Sequence, residues 1–333
     1  MKLSVLDQGY IPEPLSASEA LKEAVELAKL ADELGYERIW YSEHHGSGVL
    51  LSAAPEIMIA HIAAVTPRIR VGSGGVMMMH YPALKIAETF KLLSTMYPGR
   101  IDLGVGRASG ADADTLLALS EGRTLGQSDL FQRLTHTLLF MTEKWPIGHP
   151  YGRTTAAPQT ELLPEVWLLG SSGGSASRAG KLGIGYSFGH FMGGKFARDI
   201  ADNYHRHFEP SAVMPKAKIN AGFFVIACET AEEAEYQAAT FDLTMLELCN
   251  GNPNMKLVSP EQALSKRYTQ LEKDNIKQNR SRVLVGSIKD VAEKLLQLEH
   301  DYGIGEAMVA TLLYDCDTRL NNYRLLAREL MGK

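Results

Sequence analysis

Short apolar runs that end in polar clusters alternate along this chain with stretches of helical periodicity. Ala20, Leu21, Ala24, Leu27, Ala28, Ala31 and Leu34 recur on one helical face, with Gly35 as the stop and Ser18 as the expected cap. The period then changes. Arg38–Ser42 is short, rich in aromatic and β-branched residues, and predicts a strand. The same change recurs at 2–6, 69–72, 101–105, 166–169, 186–188, 219–227 and 306–311, which makes eight predicted strands. Helices are predicted between them: from Pro55, over 83–96, 128–144, 175–182 and 197–208, over 230–248 with Thr230 and Glu233 as a capping box, over 261–275, over 291–300 capped by Ser287, and over 318–330. Strands alternating with helices at this spacing predict a parallel sheet, and eight such units favour closure into a (β/α)8 TIM barrel. Residues 1–333 read as one barrel domain. Irregular insertions are expected near 145–164, which holds Pro146, Pro150, Pro158 and Pro164, and near 249–282.

Composition narrows the class. Hydrophobic residues make up 45% and charged residues 22%, as in a soluble globular protein. A net charge of -5 without a basic run argues against nucleic acid and anionic membrane as partners. Cys228, Cys249 and Cys316 are far apart and form no CxxC pair, which points to a reducing compartment and away from structural zinc. The apolar run at the N-terminus is too short for a signal peptide, and no run approaches the ~20 residues of a membrane span. A cytoplasmic location is expected.

The candidate chemistry gathers at the C-terminal ends of the predicted strands, where such barrels build active sites. Glu43-His44-His45 follows the second strand. A histidine there can act as acid, base or neutral donor, and side-chain alternation lets one of the pair face the barrel axis. Adjacent histidines chelate poorly and there is no HExxH pattern, so no metal is expected. Ser73-Gly74-Gly75 follows the third strand and suits either the close approach of a flat ligand or a loose turn. Arg107 follows the fourth, as an anion ligand or a surface arginine. Ser171-Ser172-Gly173-Gly174-Ser175 lies between a strand and a helix. It fits phosphate at a helix N-terminus, or a flexible linker, and it is neither a P-loop nor GxGxxG. Asp7 and Gln8 close the first strand and His190 the sixth; these three could line the same cavity as a substrate pocket or serve the structure.

The stretches WYSEHH (40–45), IRVGSGGVMM (69–78), YPGRIDLGVGR (97–107) and VWLLGSSGGSA (166–176), with the tail from Val285 to Ala310, resemble the luciferase-like flavin monooxygenases, the bacterial luciferase superfamily. The resemblance covers most of the chain in the right order. It implies a barrel that takes reduced FMN from a separate NAD(P)H:flavin reductase and reacts it with oxygen through a C4a-peroxyflavin. It implies His44 as the acid/base group near the flavin. It implies Gly74 and Gly75 as a bulge, often a non-proline cis peptide, beneath the ring, with Ser73 beside it. It implies Arg107 with Ser172 and Ser175, in the Ser171–Ser175 loop, as phosphate ligands. A homodimer through the helices after the second and third strands is also implied. The cysteine that the luciferase α subunit carries beside its phosphate-binding arginine is Gly106 here, so the chain is closer to the stand-alone monooxygenases. The substrate is expected to be a small organic molecule. Rival readings are an oxidoreductase using the deazaflavin F420, a non-catalytic flavin-binding barrel, which His44 argues against, and a barrel lyase, which lacks a lysine at a strand end.

Overall fold

Ten strands form one parallel sheet in the computed structural model, which describes residues 1–106, 111–122, 127–192, 198–252 and 254–333. They are β1 (Lys2–Asp7), β2 (Arg38–Tyr41), β3 (Arg70–Ser73), β4 (Val76–Met77), β5 (Ile101–Gly106), β6 (Glu165–Gly170), β7 (Gly185–Gly189), β8 (Ile219–Cys228), β9 (Val283–Ser287) and β10 (Glu306–Ala310). Neighbours run β10-β1-β2-β3-β5-β6-β7-β8, and β8 pairs back onto β10 with Ala221 opposite Ala307. Eight strands thus close a (β/α)8 barrel, and they are the eight that the hydrophobic pattern predicts. Two short strands lie outside that expectation. β4 is a two-residue continuation past β3, paired with β5, and β9 runs along Phe224–Cys228 of β8.

The helices begin and end where local chemistry satisfies their free backbone groups. Ser16, not Ser18, caps the helix Ala17–Leu34, in a reciprocal box with Glu19. Ser287 caps Ile288–Tyr302, and Thr230 accepts from the Glu233 N–H at the start of Ala231–Cys249. The helix expected over 261–275 is two helices, Pro260–Ser265 and Gln270–Asn279. The break falls where Thr269 opens a second capping box with Glu272, so its backbone is extended, not helical. Between the helix Gln127–Thr142 and β6 the chain is irregular. It is pinned by the buried Lys91, whose Nζ donates to the Ala156 carbonyl at 2.7 Å.

The strands carry an unexpected ionic layer inside the N-terminal end of the barrel. Arg38 is 1% exposed. Its Nη1 meets Asp102 at 2.6 Å and its Nε meets Glu306 at 2.8 Å, while Glu165, Arg70 and Lys218 complete the set. Trp40 donates to Asp102 at 2.9 Å and packs edge-on against Trp167, over which the Arg38 guanidinium lies at 4.7 Å. Every charge here has an opposite partner, which is the condition for tolerating it in a core. The two indoles lie over that layer and close the barrel from below.

Candidate functional site

Above the indoles the barrel opens into a cavity of about 540 Å³ at the C-terminal strand ends. Strand alternation decides who faces it: Leu6 from β1 and Gln8 just beyond it, Trp40 from β2 and Ser42 just beyond it, Met308 from β10. Glu43 and His44 complete the β2 side, Gly74, Gly75 and Met77 the next, and Ser171, Ser172, Gly174, Ser175 and Arg178 form the wall at β6.

His44 is anchored by its backbone N–H, which donates to the Ser52 carbonyl at 2.9 Å. Its Nδ1 is buried without a hydrogen-bond partner among the described residues. Burial, and then the neighbouring His45, push its pKa down to about 4, so the imidazole is neutral near pH 7. His45 turns instead to Glu43, with Nε2 to Oε1 at 2.8 Å. Glu43 is 4% exposed and also accepts from the Met77 N–H at 2.9 Å and the Tyr81 hydroxyl at 2.8 Å. Burial raises its pKa against these three donors. Glu43 therefore ties the end of β2 to β4 and to the turn beyond it.

Gly74 and Gly75 are joined by a cis peptide bond. Gly74 donates to the Tyr41 carbonyl at 2.8 Å, and a Cβ at Gly75 would lie 2.8 Å from the Gly104 carbonyl oxygen. A side chain at either position would meet neighbouring atoms, so bare backbone lines this wall. Ser172 is the N-cap of the helix Gly173–Lys181. The Ser175 hydroxyl donates to the Ser172 carbonyl at 2.8 Å and lies 3.0 Å from the Tyr186 hydroxyl.

Four expected site residues lie elsewhere. Asp7 follows the inward Leu6, so it points out of the barrel towards Arg319, with Oδ1 accepting from the Gly9 N–H at 2.9 Å. Ser73 is buried between β3 and β5, where its hydroxyl donates to the Gly104 carbonyl at 2.9 Å. His190 packs on Phe223 with ring centroids 5.0 Å apart, away from the cavity. Gly173 is outside the lining, its carbonyl held by Asn203. Arg107 lies outside the described residues.

One cationic contributor, Arg178, escaped the sequence reading. Arg178 lines the same wall three residues after Ser175, one helical turn on, and that spacing was the available signal. Its guanidinium lies 4.1 Å over the Phe131 ring, which fixes the cation at the cavity edge. Among the described residues, no group of three or more His, Cys, Asp or Glu could hold a metal ion.

Comparison with known proteins gives a consistent picture. A sequence profile described as "Luciferase-like monooxygenase" matches residues 1–304. "Uncharacterized protein YwcH" of Bacillus subtilis (strain 168) is 40% identical over 326 residues, 98% of each chain. The "N-acetyl-S-alkylcysteine monooxygenase" of the same organism is 33% identical over 337 residues, covering 100% of this chain and 99% of the relative. The crystal structure of apo-MsnO8 superposes with a TM-score of 0.89 at 35% identity, over 100% of this chain and 99% of that one.

Proposed function

From the premise that the chain belongs to the luciferase-like monooxygenase family, we propose that it is an FMN-dependent monooxygenase that receives reduced flavin from a separate NAD(P)H:flavin reductase and oxygenates a small organic substrate. The observation that carries this reading is the division of one cavity into chemically different parts. One wall offers hydroxyls, helix N–H groups and a cation, another offers bare backbone at Gly74 and Gly75, and the rest is largely apolar.

These parts fit the flavin. Ser171, Ser172 and Ser175 supply neutral donors to a phosphate at the start of a helix, and Arg178 supplies charge; the sequence resemblance adds Arg107, outside the described residues, as a second cation. Gly74 and Gly75 let a flat ring approach the backbone. When bound, the reduced flavin supplies activation of molecular oxygen. The chain's own residues do the rest. His44 lines the cavity with an imidazole that is neutral near pH 7, able to accept or return a proton at the reacting centre. Glu43 fixes the segment that carries His44 against β4. Leu6, Trp40, Met77, Leu168 and Met308 keep water from the centre.

Similarity to an N-acetyl-S-alkylcysteine monooxygenase supports including alkyl thioethers among the candidate substrates. The deciding experiment is a titration of the purified chain with FMN and with F420, each oxidised and reduced. Tightest binding of reduced FMN supports the reading. Preference for F420, or failure to bind either, rejects it.

A further inference from the structure

Gly189 ends β7 and Gly222 lies opposite it on β8 in the pairing register. Both line the cavity, as do Phe188, Phe191, Met192 and Met308. Glycine inside a strand often marks a place where another group must come close. Here that group is on the page. A Cβ on Gly222 would lie 2.6 Å from Cε1 of Phe191, and one on Gly189 would lie 3.0 Å from Cγ of Met192. The paired glycines therefore admit the turn His190–Met192 against the barrel wall. Phe191 also packs against Phe224, two residues along β8 from Gly222, with ring centroids 5.2 Å apart.

We propose that Gly189 and Gly222 form the floor of a substrate notch for an uncharged alkyl or aryl group, and that Phe191 sets its depth. This deepens the monooxygenase reading and rests on it. The chemistry of the lining selects the ligand class. At this end of the cavity Ser187 is the one polar side chain among the described lining residues of β7, β8 and β10, and none is charged. An ionised or strongly hydrated group would lose water there and gain few partners in return. Met192 and Met308 are unbranched and adaptable, so chains of different shape can be accommodated. Length is limited by the ring of Phe191, which rests on Gly222. A methyl at Gly222 would force that ring away from the cavity-facing side of β8, and so into the cavity.

The test uses the full chain with and without bound FMN, and alkyl phenyl ketones from acetophenone to octanophenone, by equilibrium dialysis. In the native chain, affinity should rise about fourfold for each methylene until the notch is full, and then level. Gly222→Ala should bring that levelling to a shorter ketone. It should weaken the longest by at least about fourfold while leaving acetophenone and FMN affinities unchanged. Phe191→Ala should move the levelling to a longer ketone, and adding Gly222→Ala to Phe191→Ala should then change nothing, since the ring that the methyl displaces is gone. If Gly222→Ala does not fold, the Phe191→Ala shift alone decides. The proposal is overturned if the levelling point stays put in either variant, or if short and long ketones weaken alike. Absence of FMN binding by the native chain is a different outcome. It rejects the cofactor reading, while the ketone series on the flavin-free chain still judges the notch.

Discussion

Replacing His44 by asparagine tests the electrostatics of the site most directly. Burial and the adjacent His45 lower the His44 pKa from the ordinary 6.5 to about 4. At pH 5.5 such a group is protonated in about 3% of molecules, whereas an ordinary histidine is protonated in about 90%. The folded chain thus refuses a proton that the unfolded chain accepts. The associated stability is fully present above about pH 6.5 and is lost as the pH falls towards 4. Between about pH 7 and pH 5 the loss integrates to about 2 kcal/mol. His44→Asn carries no such proton, so it should lose about 2 kcal/mol less than the native chain over the same interval. The other depressed histidines, His80, His136 and His190, remain in both and cancel. The direct assay is NMR of ring-labelled histidine across this range, with the signal missing from His44→Asn giving the assignment. Half-protonation of that signal near pH 6.5 would refute the argument, and with it the neutral imidazole on which the proposed proton handling depends.

His44→Ala should also leave FMN affinity nearly intact, yet slow oxygenation by roughly 10²–10⁴-fold, with oxygen consumed to hydrogen peroxide instead of product; equal coupling in the variant and the native chain would remove His44 from the chemistry. Arg107→Ala, which removes a proposed phosphate ligand, should weaken FMN binding by about 1.5–3 kcal/mol, measured by fluorescence titration; unchanged binding would place the phosphate elsewhere. Arg38→Met should destabilise the fold by about 3–5 kcal/mol in denaturant, since it strands Glu306 and part of the Asp102 charge in the core. The chain should sediment as a homodimer at micromolar concentration: Ile57 is 67% exposed on the helix Pro55–Val65 and Leu92 is 52% exposed on the neighbouring helix Ala83–Met96. Ile57→Glu with Leu92→Glu should then yield monomers, and an already monomeric native chain would contradict the assignment.

The barrel was legible because each strand is a compact apolar run whose neighbours in sequence are amphipathic helices. Its site was only partly so. Asp7, Ser73 and His190 look like site residues because they lie at strand ends, but a strand end has two sides. Leu6 and Gln8 face the cavity, so Asp7 between them must face out. Applying the two-residue period to that strand end would have corrected Asp7; His190 opens a 3-10 turn past β7, where the strand period no longer holds. Ser73 escapes that rule, because its hydroxyl is consumed by backbone groups of β5 that no local pattern announces. The ionic layer had a faint signal: Arg38, Arg70, Glu165 and Glu306 each begin a strand, and Asp102 is the second residue of another. What could not be read locally is that five strands bring these charges to one level, where they neutralise one another.

That layer shuts the cavity at the N-terminal end of the barrel. With Arg38, Asp102 and the two indoles packed across the bottom, no molecule passes through the barrel from one end to the other. Traffic through a blind-ended vessel has an order: the guest that lies deeper arrives first and departs last. If flavin and substrate share this cavity as proposed, they cannot come and go independently, and which of them exchanges freely while the other is held becomes a property of the barrel's architecture, set before any chemistry begins.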